Sequence, residues 1–200
     1  MVQFIVFDLS EVLIAGLVGI EKELSRELAI PEQKILPCFA DKVFERLLVG
    51  SIPEEVYLAH VIAKGHWPTD VAGLKAAIRR NFHNTIEGTI AILTDLACGY
   101  ELVLLSDHAR EWISYIRAVH PFMGMFRHAF FSFDLKGTKD DPATFVKALG
   151  AMSTSPEECL FIDDNPTNIR VAESVGIPSI RFLDAAQLAA DLGARGVEVT

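Results

Sequence analysis

The chain has 200 residues, half of them hydrophobic and spread along its whole length, which suits one packed core with room for a small insert and excludes a disordered or linker class. A formal net charge of −9 repels nucleic acid and anionic membrane surfaces, so neither is an expected partner. Cys38, Cys98 and Cys159 fit no disulfide framework or zinc cluster and are expected as buried thiols; with no signal peptide and no apolar run able to span a bilayer, the expected location is the cytoplasm.

Residues 2–7 (VQFIVF) are rich in β-branched and aromatic side chains and predict a buried parallel strand. From 15 to 86 no strand pattern occurs. Amphipathic periodicity instead predicts four helices, over 17–28, 31–48, 53–64 and 69–82, punctuated at Gly50-Ser51 and around Gly65 to Pro68. This interval is expected to be a small helical bundle that packs on itself, inserted directly after the first strand. Helix and strand then alternate. Helices are expected over 87–97 and 109–119, from Pro142 onward, and over 165–174 with Gly176 just past the end. Strands are expected over 102–105 (LVLL), 129–133 (AFFSF), 159–162 (CLFI) and, more weakly, 178–182. The fold class that follows is α/β, a Rossmann-like parallel sheet with helices on both faces and a helical insert. Its expected division is a core of 1–14 and 87–200 and a cap of 15–86.

Open parallel sheets bind ligands outside the carboxyl ends of their strands. The residues delivered there are Asp8-Leu9-Ser10-Glu11 after the first strand and Ser106-Asp107 after the second. A loop with Lys136, Thr138 and Lys139 follows the third, and Asp163-Asp164-Asn165 the fourth. Clustered carboxylates need a cation or a proton between them, and an oxygen-only set without His or Cys favours Mg²⁺ over zinc. A hydroxyl and an ammonium opposite that ion suit a phosphoryl group, and a carboxylate such as Asp8 then serves as nucleophile.

Four segments in this order, FIVFDLSEVLI, LVLLSDHAREW, GTKDDPATF and CLFIDDNPTNIRVAESVGI, resemble the motifs of the haloacid dehalogenase-like (HAD) hydrolases, and the resemblance covers nearly the whole chain. The insert resembles the helical cap of that family. The resemblance implies that Asp8 is the nucleophile, forming an aspartyl-phosphate, and a Mg²⁺ ligand. It makes the backbone carbonyl of Ser10 a second ligand, with Asp163 and Asp164 completing the metal set. Ser106 and Lys139 would be catalytic and bind the phosphoryl group, with Asp107 beside them. Lys136 competes for the lysine role, but Asp141-Pro142 places Lys139 in the family register.

The departures carry information. Many phosphatases of the family have an Asp two residues after the nucleophile, as general acid and base; here Ser10 stands there. A hydroxyl does not release a proton at neutral pH, and general acid catalysis is typically worth about 10² to 10⁴ in rate. Substrates with leaving groups needing little protonation, such as anomeric sugar, acyl or aryl phosphates, are therefore expected. Glu11 is adjacent, but the next residue along normally points elsewhere, so a solvated or ion-paired Glu11 is expected, with a substitute acid as the alternative. Asp107 stands where the family often has Asn, and Asp140 where proline is common. The function expected is a Mg²⁺-dependent phosphatase acting on a small phosphorylated metabolite, a sugar phosphate being one option, as a monomer or homodimer. The alternatives are a metal- or phosphate-binding protein of the same fold with little turnover, and a metal-independent dehalogenase.

Overall fold

The computed structural model describes residues 2–198. Five strands form one parallel sheet: β1 (Phe4–Phe7), β2 (Glu101–Ser106), β3 (His128–Phe131), β4 (Cys159–Asp163) and β5 (Ser179–Arg181), in the order β3-β2-β1-β4-β5. Successive side chains of a strand point to opposite faces, and the apolar residues divide accordingly. Ile5, Phe7, Leu104 and Ile162 look to one face, covered by α6 (Thr89–Leu96), α7 (Arg110–Val119) and α11 (Ala185–Ala194). Val6, Val103, Leu105 and Phe161 look to the other, covered by α9 (Pro142–Met152) and α10 (Pro166–Ser174). Helices thus lie on both faces. The near-continuous apolar character of β1, β2 and β4 follows from that double burial.

Between β1 and α6 lie five helices, α1 (Ile20–Leu28), α2 (Leu36–Phe39), α3 (Lys42–Leu48), α4 (Glu54–Gly65) and α5 (Val71–Asn81). The long helix expected over 31–48 is broken. Asp41 leaves the helical backbone, and its carboxylate accepts from the N–H groups of Val43 and Phe44, opening α3 as an N-cap. The same carboxylate meets His60 and Lys64 of α4, each at 2.8 Å, so the break docks two helices together. At the other end of the chain, 129–133 does not stay extended. Ser132 and Phe133 begin the single turn α8 (Ser132–Leu135). Helix α11, capped by Asp184, had no counterpart in the sequence reading. Of the three thiols only Cys159 is buried; Cys38 is half-buried, Cys98 is exposed, and all are free. Among the described residues no helix is long and apolar enough to cross a membrane.

The insert does not pack only on itself. One apolar cluster runs from the α7 face of the sheet into the helices that follow β1. At its root the incoming and outgoing chains pair, Ala15 N–H to Asn84 C=O (2.8 Å) and Ile86 N–H to Leu13 C=O (3.0 Å). The fully buried Glu54 supplies a second attachment. Its carboxylate accepts from Trp112 Nε1 of α7 at 2.7 Å and pairs with Arg79 at 2.7 Å and Lys75 at 2.8 Å. Removing one partner of a buried ionic cluster leaves the others uncompensated, at about 3–5 kcal/mol. Glu54→Leu should therefore lose about that much stability in chemical denaturation. A loss below about 1 kcal/mol would show that this cluster does not hold the insert.

Candidate active site

The strand order puts β1 between β2 and β4, so the chain leaves β1 toward one side and later returns to the other. Such a reversal opens a crevice beyond the carboxyl ends of the two strands. Asp8 follows β1 directly, and its N–H bonds Ile162 C=O of β4 at 2.9 Å; Asp163 is the last residue of β4. Two carboxylates are thereby fixed side by side by sheet pairing alone.

Lys139 lies between them. Its Nζ is 2.7 Å from Asp8 Oδ1 and 2.6 Å from Asp163 Oδ2, and all three side chains are buried. Burial works against the Lys139 charge, but Asp163, Asp8 and Asp107 outweigh it and raise its pKa, so the ammonium stays protonated. Burial raises Asp8 to about 7, Lys139 opposing and Asp163 adding to the rise. Asp163 is further held by Asn165 N–H at 2.8 Å and by Asn168 Nδ2 at 3.1 Å. Asp164 completes a group in which one oxygen of each of Asp8, Asp163 and Asp164 lies within 4.8 Å of the others. Burial also raises the Asp164 carboxyl, with Asp163 contributing.

Ser106 ends β2 with its Oγ buried and without a hydrogen-bond partner, an orphan that suits a ligand oxygen. Asp107 lines the cavity, and its Oδ2 accepts from the backbone N–H of Lys139 at 3.0 Å, so it anchors the loop that carries the lysine. Lys136 is elsewhere, donating to Val49 C=O at 3.2 Å. Glu11 is neither free nor ion-paired: its Oε1 accepts from Gly16 N–H at 2.8 Å and Val18 N–H at 3.3 Å, shaping the turn into the insert. Asp140 takes a short hydrogen bond from Thr138, and Asp141 caps α9.

The sequence reading did not find the partner of Ser10. Ser10 Oγ lies 2.9 Å from Nε2 of His108, which is buried and carries a second ring nitrogen without a partner. Burial, with Lys139 and Arg79 nearby, lowers His108 to about 3, so the ring is neutral. The backbone N–H of His108 donates to Ser132 Oγ at 3.1 Å, and that hydroxyl donates to Leu48 C=O of the insert at 2.6 Å. The available signal was a histidine two places after Ser106 together with the missing acid at position 10. A cavity of about 310 Å³ opens above Asp8, Ser10, Lys139 and Asp164. Leu17, Phe44, Leu48 and Phe82 from the insert side and Trp112 from α7 form its apolar wall. Helical periodicity placed these residues on helices and gave no sign that they line a cavity.

The donor set fits a hard divalent cation. It is all oxygen, it carries more negative charge than Lys139 offsets, and Asp8, Asp163 and Asp164 already converge. Asp8 and Asp164 would hold the ion together with Asp163.

The family model for haloacid dehalogenase-like hydrolases matches residues 38–182. Flavin mononucleotide hydrolase 1 of Arabidopsis thaliana is 27% identical over 172 residues, 86% of this chain and 69% of that protein. Among solved structures, a HAD-family enzyme of Bacteroides thetaiotaomicron in complex with magnesium and inorganic phosphate superposes with a TM-score of 0.77 at 20% identity, covering 94% of this chain and 99% of that one. L-2-haloacid dehalogenase of Xanthobacter autotrophicus, with chloropropionic acid covalently bound, gives 0.71 at 19% identity over 99% and 85%.

The raised Asp8 carboxyl yields a pH-dependent expectation. The folded chain keeps this proton up to about 7, whereas the unfolded chain releases it near 3.8. Metal-free stability therefore falls as pH rises across that interval. A cation that replaces the proton stabilises most where the proton is lost. Thermal unfolding with and without Mg²⁺ should show a larger shift at pH 8 than at pH 5, and Asp8→Asn should shrink the difference. Equal shifts at both pH values would contradict it.

Proposed function

The chain belongs to the haloacid dehalogenase-like hydrolases, and on that premise we propose that it is a Mg²⁺-dependent phosphatase of small phosphorylated metabolites. The observation that carries this reading is the Asp8–Lys139–Asp163 array beside Asp164 and the unpartnered Ser106 hydroxyl. Two of the similar proteins bear names or ligands of the same chemistry, a flavin mononucleotide hydrolase and a complex with magnesium and phosphate.

In this reading Asp8 attacks phosphorus with one carboxylate oxygen. The O–P bond forms as the bond to the leaving oxygen breaks, and the electron pair departs with that oxygen. Water then attacks phosphorus in the aspartyl-phosphate, releasing phosphate and restoring the Asp8 carboxylate. Lys139 offsets the charge that nucleophile and phosphoryl group bring together, and its bond to Asp163 keeps its amine from turning away. Ser106 donates its free hydroxyl to a phosphoryl oxygen. Asp8, the Ser10 carbonyl, Asp163 and Asp164 would hold Mg²⁺, which would supply Lewis-acid charge at the phosphoryl group. Asp107 keeps the lysine loop in register with the phosphoryl site. The exposed, unpaired Cys98 suits a reducing cytoplasm. Metal-independent dehalogenation has no use for Asp163 and Asp164 beside the nucleophile.

The test is phosphate release from an aryl phosphate with Mg²⁺ and with chelator. Hydrolysis should require the metal. Asp8→Asn should abolish it, and Ser106→Ala should lower it about 10²- to 10³-fold. Turnover retained by Asp8→Asn would remove the assigned nucleophile. Phosphate binding without turnover in the wild type would identify a binding protein instead.

A further inference from the structure

The Ser10–His108 pair and the apolar wall together narrow the substrate. A neutral imidazole carries one N–H. If it sat on Nδ1, a donor would be buried without an acceptor; on Nε2 it bonds Ser10 Oγ at 2.9 Å and leaves only a bare lone pair inside. Buried orphan N–H groups are the rarer and costlier arrangement, and Nδ1 is the ring nitrogen without a partner. His108 is therefore the donor and Ser10 the acceptor, which frees the Ser10 O–H. Gly16 closes one side of it: a Cβ there would stand 2.9 Å from Ser10 Oγ, and the Gly16 N–H and C=O are already taken by Glu11 and Asn81. The free hydrogen is left to the cavity.

We propose that Ser10, oriented by His108, hydrogen-bonds the leaving oxygen without protonating it, and that the site hydrolyses phosphate monoesters of phenolic leaving groups. This rests on the phosphatase reading above and names its substrate class. A hydroxyl steadies a departing anion but gives up no proton, so the leaving group departs as an aryloxide and takes its proton from solvent. Phenols ionise near 10, well below simple alcohols. Phe44, Leu48, Phe82 and Trp112 make this wall apolar, with few partners for the hydroxyls of a sugar. The cavity of about 310 Å³ is at the small end for ligand sites. It takes a phosphoryl group with a small ring system, whereas the phosphate of a flavin mononucleotide leaves from an alkyl oxygen.

The experiment is kcat/KM with Mg²⁺ for a series of substituted phenyl phosphates, for glycerol phosphate and for flavin mononucleotide. In the wild type, rate should rise steeply with leaving-group acidity, and aryl esters should exceed both alkyl esters by more than about a hundredfold. Ser10→Ala should lower kcat roughly tenfold and steepen the slope. Ser10→Asp should flatten the slope and raise alkyl turnover. His108→Ala should behave like Ser10→Ala, whereas His108→Gln, whose amide N–H replaces Nε2–H, should recover most of the loss. A flat wild-type slope, alkyl esters equal to aryl esters, or Ser10→Ala indistinguishable from wild type would overturn the proposal while leaving the phosphatase reading intact. Absence of metal-dependent turnover on every ester would overturn both.

Discussion

Everything at the carboxyl edge of the sheet depends on one ammonium group. Strand pairing brings Asp8 and Asp163 together whether or not their charges agree, because Asp8 N–H bonds the carbonyl of Ile162. Two buried carboxylates at that distance repel strongly at low effective dielectric. Lys139 answers this with contacts of 2.7 and 2.6 Å, and Asp107 holds the lysine's own backbone. The compensation is partial: Asp164 adds a further negative group that forms no ion pair among the described residues. The site is a concentrated negative centre with one cation built in and the affinity for another left over.

Much of this was legible in the sequence. The strand ends could be located because β1, β2 and β4 are buried on both faces and so read as continuous apolar runs. Once they are placed, Asp8, Ser106 and Asp163 fall on one edge by topology. Lys139 needed only the register set by Asp141-Pro142. The rest was hidden for physical reasons. Asp41 lies within the interval whose periodicity predicts one helix; its bonds to Val43 and Phe44 are local, but the His60 and Lys64 of α4 that meet the same carboxylate are not. Ser132 and Phe133 continue the strand pattern of β3 but turn into a helix so that Ser132 can reach His108 and Leu48. Helix α11 has moderate amphipathicity and no motif to flag it. Glu11, expected as a solvated or ion-paired side chain, instead accepts from two backbone N–H groups at the start of the insert. The partners that decide Ser132, and the second set that meets the Asp41 carboxylate, lie far away in sequence, and no local pattern encodes them.

The wall of the cavity shows how chemistry and recognition are shared between segments. The charged groups come from loops after strands of the sheet. Phe44, Leu48 and Phe82 come from the insert, and Trp112 bridges the two, lining the cavity while its Nε1 bonds the buried Glu54. Arg79 lies 5.0 Å from the Tyr115 ring of α7 while pairing with Glu54. The helices that shape the substrate's surroundings are thus tied to the helix that covers the sheet, so the wall and the charged floor keep a defined spacing.

The paired chains at the root of the insert have a consequence for how such a molecule can diversify. Leu13 and Ala15 on the way in are hydrogen-bonded to Asn84 and Ile86 on the way out. Seen from the sheet, everything between them is a closed excursion whose two ends are already neighbours. The entropy of closing a loop grows slowly with its length, about 0.6 kcal/mol per doubling. An ancestor could therefore have lengthened, shortened or exchanged this excursion with little penalty to the sheet, retuning which molecules are admitted while the hydrolytic floor was inherited unchanged.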